Sequence, residues 1–169
     1  MSPTHVQDFW GMENLIRWSS ASLRDLAIPE AAKAWLTHVG LPMKAECAFR
    51  FADATSPLPL DRVRPSLKRI GFDGPVSICI DEEHEGHIVA DESAIGGQTR
   101  FMNASIQRFA AFLTLYEMYR RASRGVSESK AIEIVENVEK LMREIDPDAL
   151  SDPNSYWSLI LEQMRNALL

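Results

Sequence analysis

Val76-Ser77-Ile78-Cys79-Ile80 and His87-Ile88-Val89-Ala90, joined by Asp81-Glu82-Glu83-His84-Glu85-Gly86, form the stretch whose reading decides the fold. Two short runs rich in β-branched residues flank a polar connector whose glycine can take a positive φ. That pattern predicts an antiparallel hairpin with a longer loop. Just upstream, Leu67 to Phe72 reads as a strand closed by the turn dipeptide Asp73-Gly74. Cys47-Ala48-Phe49-Arg50-Phe51 is short, aromatic and strand-like, and a loop with Pro57, Pro59 and Pro65 separates it from the next strand. Downstream, Thr99 to Met102 predicts one more strand after Gly96-Gly97.

Outside this block the chain reads as helical. In the first forty residues Asp8 is expected to open a helix carrying Phe9, Met12, Ile16 and Trp18 near one face. Pro29 suits the first position of a second helix, where its missing N–H costs nothing. Ile28, Ala32, Trp35, Leu36 and Val39 then form its apolar stripe, and Gly40 and Pro42 stop it. Asn103 or Ser105 caps a long segment reaching about Arg124, apolar over more than one face, as a central helix would be. Ser127 caps another, with Ile132, Val135, Val138, Met142 and Ile145 in register before Asp146-Pro147. A last helix is expected near Pro153, with Trp157, Ile160, Leu161, Met164 and Leu168 in register. Strands gathered in the middle predict an α+β fold: a mainly antiparallel central sheet of short strands flanked by N-terminal and C-terminal helices.

A chain of 169 residues, 46% hydrophobic and 25% charged, is expected to form one domain over 1–169 with a full core. Its two cysteines, Cys47 and Cys79, are too few for a disulfide framework or a structural zinc site, and read as small buried hydrophobes. The N-terminus lacks a basic segment followed by an apolar one, and no apolar stretch approaches the ~20 residues of a membrane helix. A cytoplasmic location is expected. A net charge of −6 argues against nucleic acid as the direct partner.

Catalytic templates fail in turn: there is no phosphate loop, dinucleotide fingerprint, G-x-S-x-G elbow, H-E-x-x-H or C-x-x-C. The run from Asp81 to His87 offers carboxylates and imidazoles, but a solvated loop splays such groups apart. His5 and His38 are isolated. No catalytic residue, cofactor or metal is therefore expected. An enzyme would need acids such as Asp81 and Asp91 to converge in one cleft.

Charge is segregated along the chain. Gly71 to Thr99 holds seven acids and no Lys or Arg; Arg100 to Gly125 holds five bases against Glu117; Val126 to Asp152 holds eight acids against three bases. Either the basic helix packs among acidic neighbours and the fields cancel, or the hairpin presents an acidic surface that steers a basic partner. On the second reading the binding residues are Asp81, Glu82, Glu83, Glu85, Asp91 and Glu92.

Several of these strings, in this order, resemble a known family. They are Ile28-Pro29 with the Trp35-Leu36 helix and Val39-Gly40-Leu41-Pro42; Ile70-Gly71-Phe72-Asp73 with the paired strands; and Phe101-Met102-Asn103-Ala104-Ser105 running into Phe109 and Phe112. Together they are similar to the SUKH superfamily, most of all its fourth subgroup, associated with nucleic-acid-deaminase inhibitors of bacteria. The resemblance covers roughly Asp25 to Tyr119. It implies an α+β immunity protein that binds a toxin, often a nuclease or deaminase, and blocks it without catalysis. A scaffold or regulatory binding module with no toxin partner is the alternative.

Overall fold

Apolar side chains alternate along Leu67–Asn103, so pairing these strands buries one continuous face, and the helices on either side supply its cover. The computed structural model describes residues 1–45, 49–53 and 56–166. In chain order its helices are α1 (Pro3–Trp10), α2 (Ser20–Leu23), α3 (Glu30–His38), α4 (Ile106–Ala122), α5 (Glu128–Ile145) and α6 (Tyr156–Arg165). Its strands are β1 (Leu15–Ile16), β2 (Leu41–Pro42), β3 (Phe49–Arg50), β4 (Ala52–Asp53), β5 (Ser56–Pro57), β6 (Leu67–Asp73), β7 (Val76–Asp81), β8 (His87–Asp91) and β9 (Thr99–Asn103). The main sheet runs β3-β6-β7-β8-β9, every pair antiparallel. The protein is thus α+β, with the β7–β8 hairpin at its centre.

The two faces of the sheet differ sharply. Ile70, Ile78, Ile80, Ile88, Ala90 and Met102 point into the main core, with residues of all six helices. Among the described residues the opposite face buries a small cluster, Leu67, Cys79 and Val89, covered by Val63 from the loop before β6. A bulge between Arg69 and Gly71 adds one residue to β6. Because side chains alternate with period two, that extra residue turns Phe72 to the outer face opposite Ser77. Gly71 is dictated by crowding: a Cβ there would lie 2.3 Å from Phe51 Cδ1 and 2.8 Å from the Arg50 carbonyl.

Helix α4 is buried on nearly every side, as its apolar sequence predicts. Its Phe109 and Phe112 meet Trp157 of α6, the latter ring at 5.3 Å, and Phe49 stacks on Trp157 at 6.0 Å. Truncating a fully buried aromatic of this kind costs about 3–5 kcal/mol. Helix α6 buries Tyr156, Trp157, Leu161 and Met164, so it closes the core, while Leu168 lies outside the described residues.

One buried polar junction locks the C-terminal helices to the sheet. Asp146, wholly buried, accepts from Asn103 Nδ2 at 3.1 Å and the Ala104 N–H at 2.9 Å, and pairs with Arg108 at 3.1 Å. Trp157 Nε1 donates to Asn103 Oδ1 at 2.9 Å. Asn103 serves this junction, and Ser105 caps α4 by accepting from the Arg108 N–H at 3.3 Å.

The N-terminal segment departs from expectation. Asp8 does not open a helix; Ser2 caps α1, Pro3 occupies its first turn, and Gly11, at φ 78°, ends it. Met12 is consequently exposed, and Ile16 pairs as a strand with Leu41. Pro29 is the cap of α3 and sits one position before its first residue. The last helix begins after Ser155, whose Oγ accepts from the Ser158 N–H at 3.3 Å. Cys79 is buried as expected, and Cys47 lies outside the described residues.

Candidate binding surface

The β7–β8 loop is tightly built. The Gly86 N–H donates to the Asp81 carbonyl and the His87 N–H to the His84 carbonyl, each at 2.9 Å. Glu85, at φ 51°, and Gly86, at φ 78°, make the reversal. Gly86 also rests against Ile28 and Pro29, so the loop leans on the start of α3.

Four of the six acids expected to form a binding surface have internal partners. Asp81 accepts from the Glu83 N–H at 3.0 Å and from His84 Nδ1 at 2.8 Å. Burial pushes its carboxyl up, but the donors His84, Glu83 and Ser66 and the nearby imidazole charge together hold it below the ordinary range. The same hydrogen bond and the charge of Asp81 raise His84 above its usual value. Glu82 accepts from the Ala27 N–H at 3.0 Å and pairs with Arg62 at 3.0 Å. Asp91 pairs with Arg64 at 2.9 Å and accepts from Ser93 Oγ at 2.9 Å. Glu92 pairs with Arg100 at 3.2 Å. Only Glu83 and Glu85 are exposed.

Charge is therefore layered on this side of the molecule. The Glu82 side chain is 9% exposed under Arg62 at 48%, and Asp91 is 5% exposed under Arg64 at 43%. Glu92, 13% exposed, lies similarly under Arg100. The carboxylates form the inner layer and the guanidinium groups the outer one. Arg50 and Arg69 flank the Phe72 ring at 5.4 and 4.6 Å, within cation–π range, and His87 sets its ring edge-on to Phe101 at 5.3 Å. The compensating bases were visible as a composition, since residues 50–69 hold five Lys and Arg against Asp53 and Asp61. Their contact with acids 20 and more positions downstream was not.

Reactive geometry does not assemble here. Asp81 pairs with His87 and Asp91 with Ser77, at opposite ends of the hairpin. Four strand steps separate Ser77 from Asp81, about 13 Å, too far for two acids to share one substrate atom. Among the described residues no group of His, Cys, Asp and Glu converges in metal-binding geometry, and no helix is long and apolar enough to cross a membrane. Cys79 is sealed under Val63, and burial, with Asp91 nearby, pushes its thiol up to about 12. Burial likewise raises Asp73 at the end of β6, where the Tyr156 hydroxyl donates to it. A shallow open groove on α5 is lined by Glu136, Glu139, Lys140, Arg143 and Glu144.

Against known proteins, the family model described as SUKH-4 immunity protein matches residues 1–163. No curated protein and no solved structure matches the chain.

Proposed function

Given that this chain belongs to the SUKH-4 immunity protein family, with the toxin-immunity role that membership implies, we propose that it binds a bacterial nuclease or nucleic-acid-deaminase toxin and blocks it by contact alone. The observation that carries this reading is the family match across residues 1–163. It is supported by the geometry of the acids: Asp81 and Asp91 stand at opposite ends of the hairpin, and Glu82 and Asp91 pair with Arg62 and Arg64. The chain acts as one domain, a reading supported by a single main core cluster that runs from Val6 to Met164. The cytoplasm, where a toxin of nucleic acid meets its target, is its place of action.

Within the acidic hairpin, Glu83 and Glu85 are the residues a partner meets first, because they are exposed at the loop tip. Asp81, Glu82, Asp91 and Glu92 contribute by fixing the loop and the arginines above it. Exposed charges of this kind act mainly on association rate, since salt screens them over about 8–10 Å. Replacing both glutamates with lysine should slow capture of a basic toxin and flatten the dependence of its on-rate on salt.

The test is co-expression with the toxin domain encoded beside this gene. Growth should be restored and a stable complex should elute together in gel filtration. A toxin that stays fully active beside the folded chain, with no complex formed, refutes the reading in favour of a scaffold or regulatory module.

A further inference from the structure

We propose that the toxin docks on the outer face of the five-stranded sheet, where Arg50 and Arg69 flank Phe72 and Arg62 and Arg64 lie over Glu82 and Asp91, and that it offers this face a cluster of carboxylates. The proposal rests on the toxin-binding reading above and adds to it the surface and the chemistry of the partner.

Three observations converge on this face. Among the described residues the helices contribute to the main core, and the small cluster on the outer face is packed by Val63 from the loop before β6. The bulge at Arg69 and Gly71 turns Phe72 onto that face and leaves the ring half-buried among guanidinium groups. Exposed aromatic and arginine side chains set close together are the composition of interface hot spots. Lastly, each arginine is held by a carboxylate: Asp53 holds Arg50, Glu82 holds Arg62, Asp91 holds Arg64 and Asp61 holds Arg69. A guanidinium carries five N–H donors, and at Arg62 and Arg64, each more exposed than its acid, several of them face solvent; Asp53 and Asp61 are the more exposed members of the other two pairs. Donors already fixed in place lose less freedom when a partner arrives.

Charge complementarity selects the occupant. The outermost ionic layer over Glu82 and Asp91 is cationic, so at close range it is satisfied by carboxylates. Nucleic acid fits less well. A long polyanion is opposed by the whole chain's charge of −6, whereas a few carboxylates on a partner surface need only the local guanidinium groups. Glu83 and Glu85 lie at the loop end of the same hairpin, so the partner's carboxylates adjoin a basic rim. A toxin of nucleic acid with acidic catalytic groups inside a basic cleft presents that pattern.

The experiment measures binding of the full chain to a catalytically inactivated form of the toxin domain encoded beside the gene. Variants are Arg50→Glu, Phe72→Ser and the pair together, with Glu136→Lys on α5 as a control. Arg50→Glu is the milder arm, because Arg50 is exposed, pairing across the surface with Asp53 and lying 5.4 Å over the Phe72 ring. The double variant is expected to raise Kd about 30-fold or more, with its melting temperature near that of the parent and Glu136→Lys without effect. Hydrogen exchange should slow along β6 and in the loop before it when the toxin is added. A complex of undiminished affinity with folded Arg50→Glu and Phe72→Ser variants overturns this surface and leaves the toxin reading standing. Binding of a 20-nucleotide single-stranded DNA at this face in place of the toxin overturns both. So does failure of the parent chain to form any complex.

Discussion

Replacing Asp146 with alanine tests the junction that ties α4, α5 and α6 to the sheet. The carboxylate is wholly buried and serves three donors: Asn103 Nδ2, the Ala104 N–H and Arg108. In the alanine variant the buried Asn103 Nδ2 and the part-buried Ala104 N–H lose their acceptor, at about 1–3 kcal/mol each. Arg108 adds little, since its side chain is 44% exposed and water can take the place of the lost acid. Asn103 also orients Trp157 Nε1, so part of the aromatic core loses its anchor. The sum is about 2–6 kcal/mol. For a chain this long that corresponds to roughly 4–24 °C in Tm. Asp146→Asn keeps one oxygen for Asn103 and Ala104 and should lose about half as much. Urea denaturation followed by circular dichroism and tryptophan fluorescence gives both values. An alanine variant within about 1 kcal/mol of the parent, or an asparagine variant weaker than the alanine one, would show that the junction does not hold the fold.

Three further outcomes follow from the same structure. Gly71→Ala should destabilise by about 1–3 kcal/mol or more, because the added methyl meets Phe51 and the Arg50 carbonyl; a neutral change in the same denaturation assay contradicts the packing at the bulge. His84 titrates upward and Asp81 downward, so their contact is intact between the two pKa values. It weakens as pH falls through the depressed Asp81 value or rises through the raised His84 value. The His84 ring resonance should therefore show a midpoint above 6.5 that Asp81→Asn lowers, and a parent midpoint at or below 6.5 speaks against the contact. Cys79 should resist a thiol reagent at neutral pH until the chain unfolds, since it is buried and its thiol is pushed to about 12; rapid native labelling contradicts the seal by Val63.

What could be read from residue order is what depends on local patterning. The β7–β8 hairpin, the caps Ser105 and Ser127, and the buried stripe of α3 each rest on neighbours within a few positions. The N-terminal segment was read as helix because its apolar residues recur at helical spacing, but Gly11 breaks the run and leaves Leu15 and Ile16 free to pair with Leu41 and Pro42. Strands of two residues, such as β4 and β5, are too short to carry any period. The binding surface was the least legible part. Seven acids between Gly71 and Thr99 read as an acidic face, yet Glu82 and Asp91 lie beneath Arg62 and Arg64 from 20 and 27 positions earlier. Sequence reports which charges exist. Only the register of β6 on β7 and of β7 on β8, with the loop laid over them, decides which charge is outermost.

Titrating the toxin's activity with increasing amounts of this chain tests most directly whether it works by occupancy. A linear fall to zero at a fixed molar ratio is the expected result, with full activity returning once the toxin is separated under denaturing conditions and refolded. Complete inactivation by a small fraction of an equivalent would mean that the chain turns over, and would contradict the account.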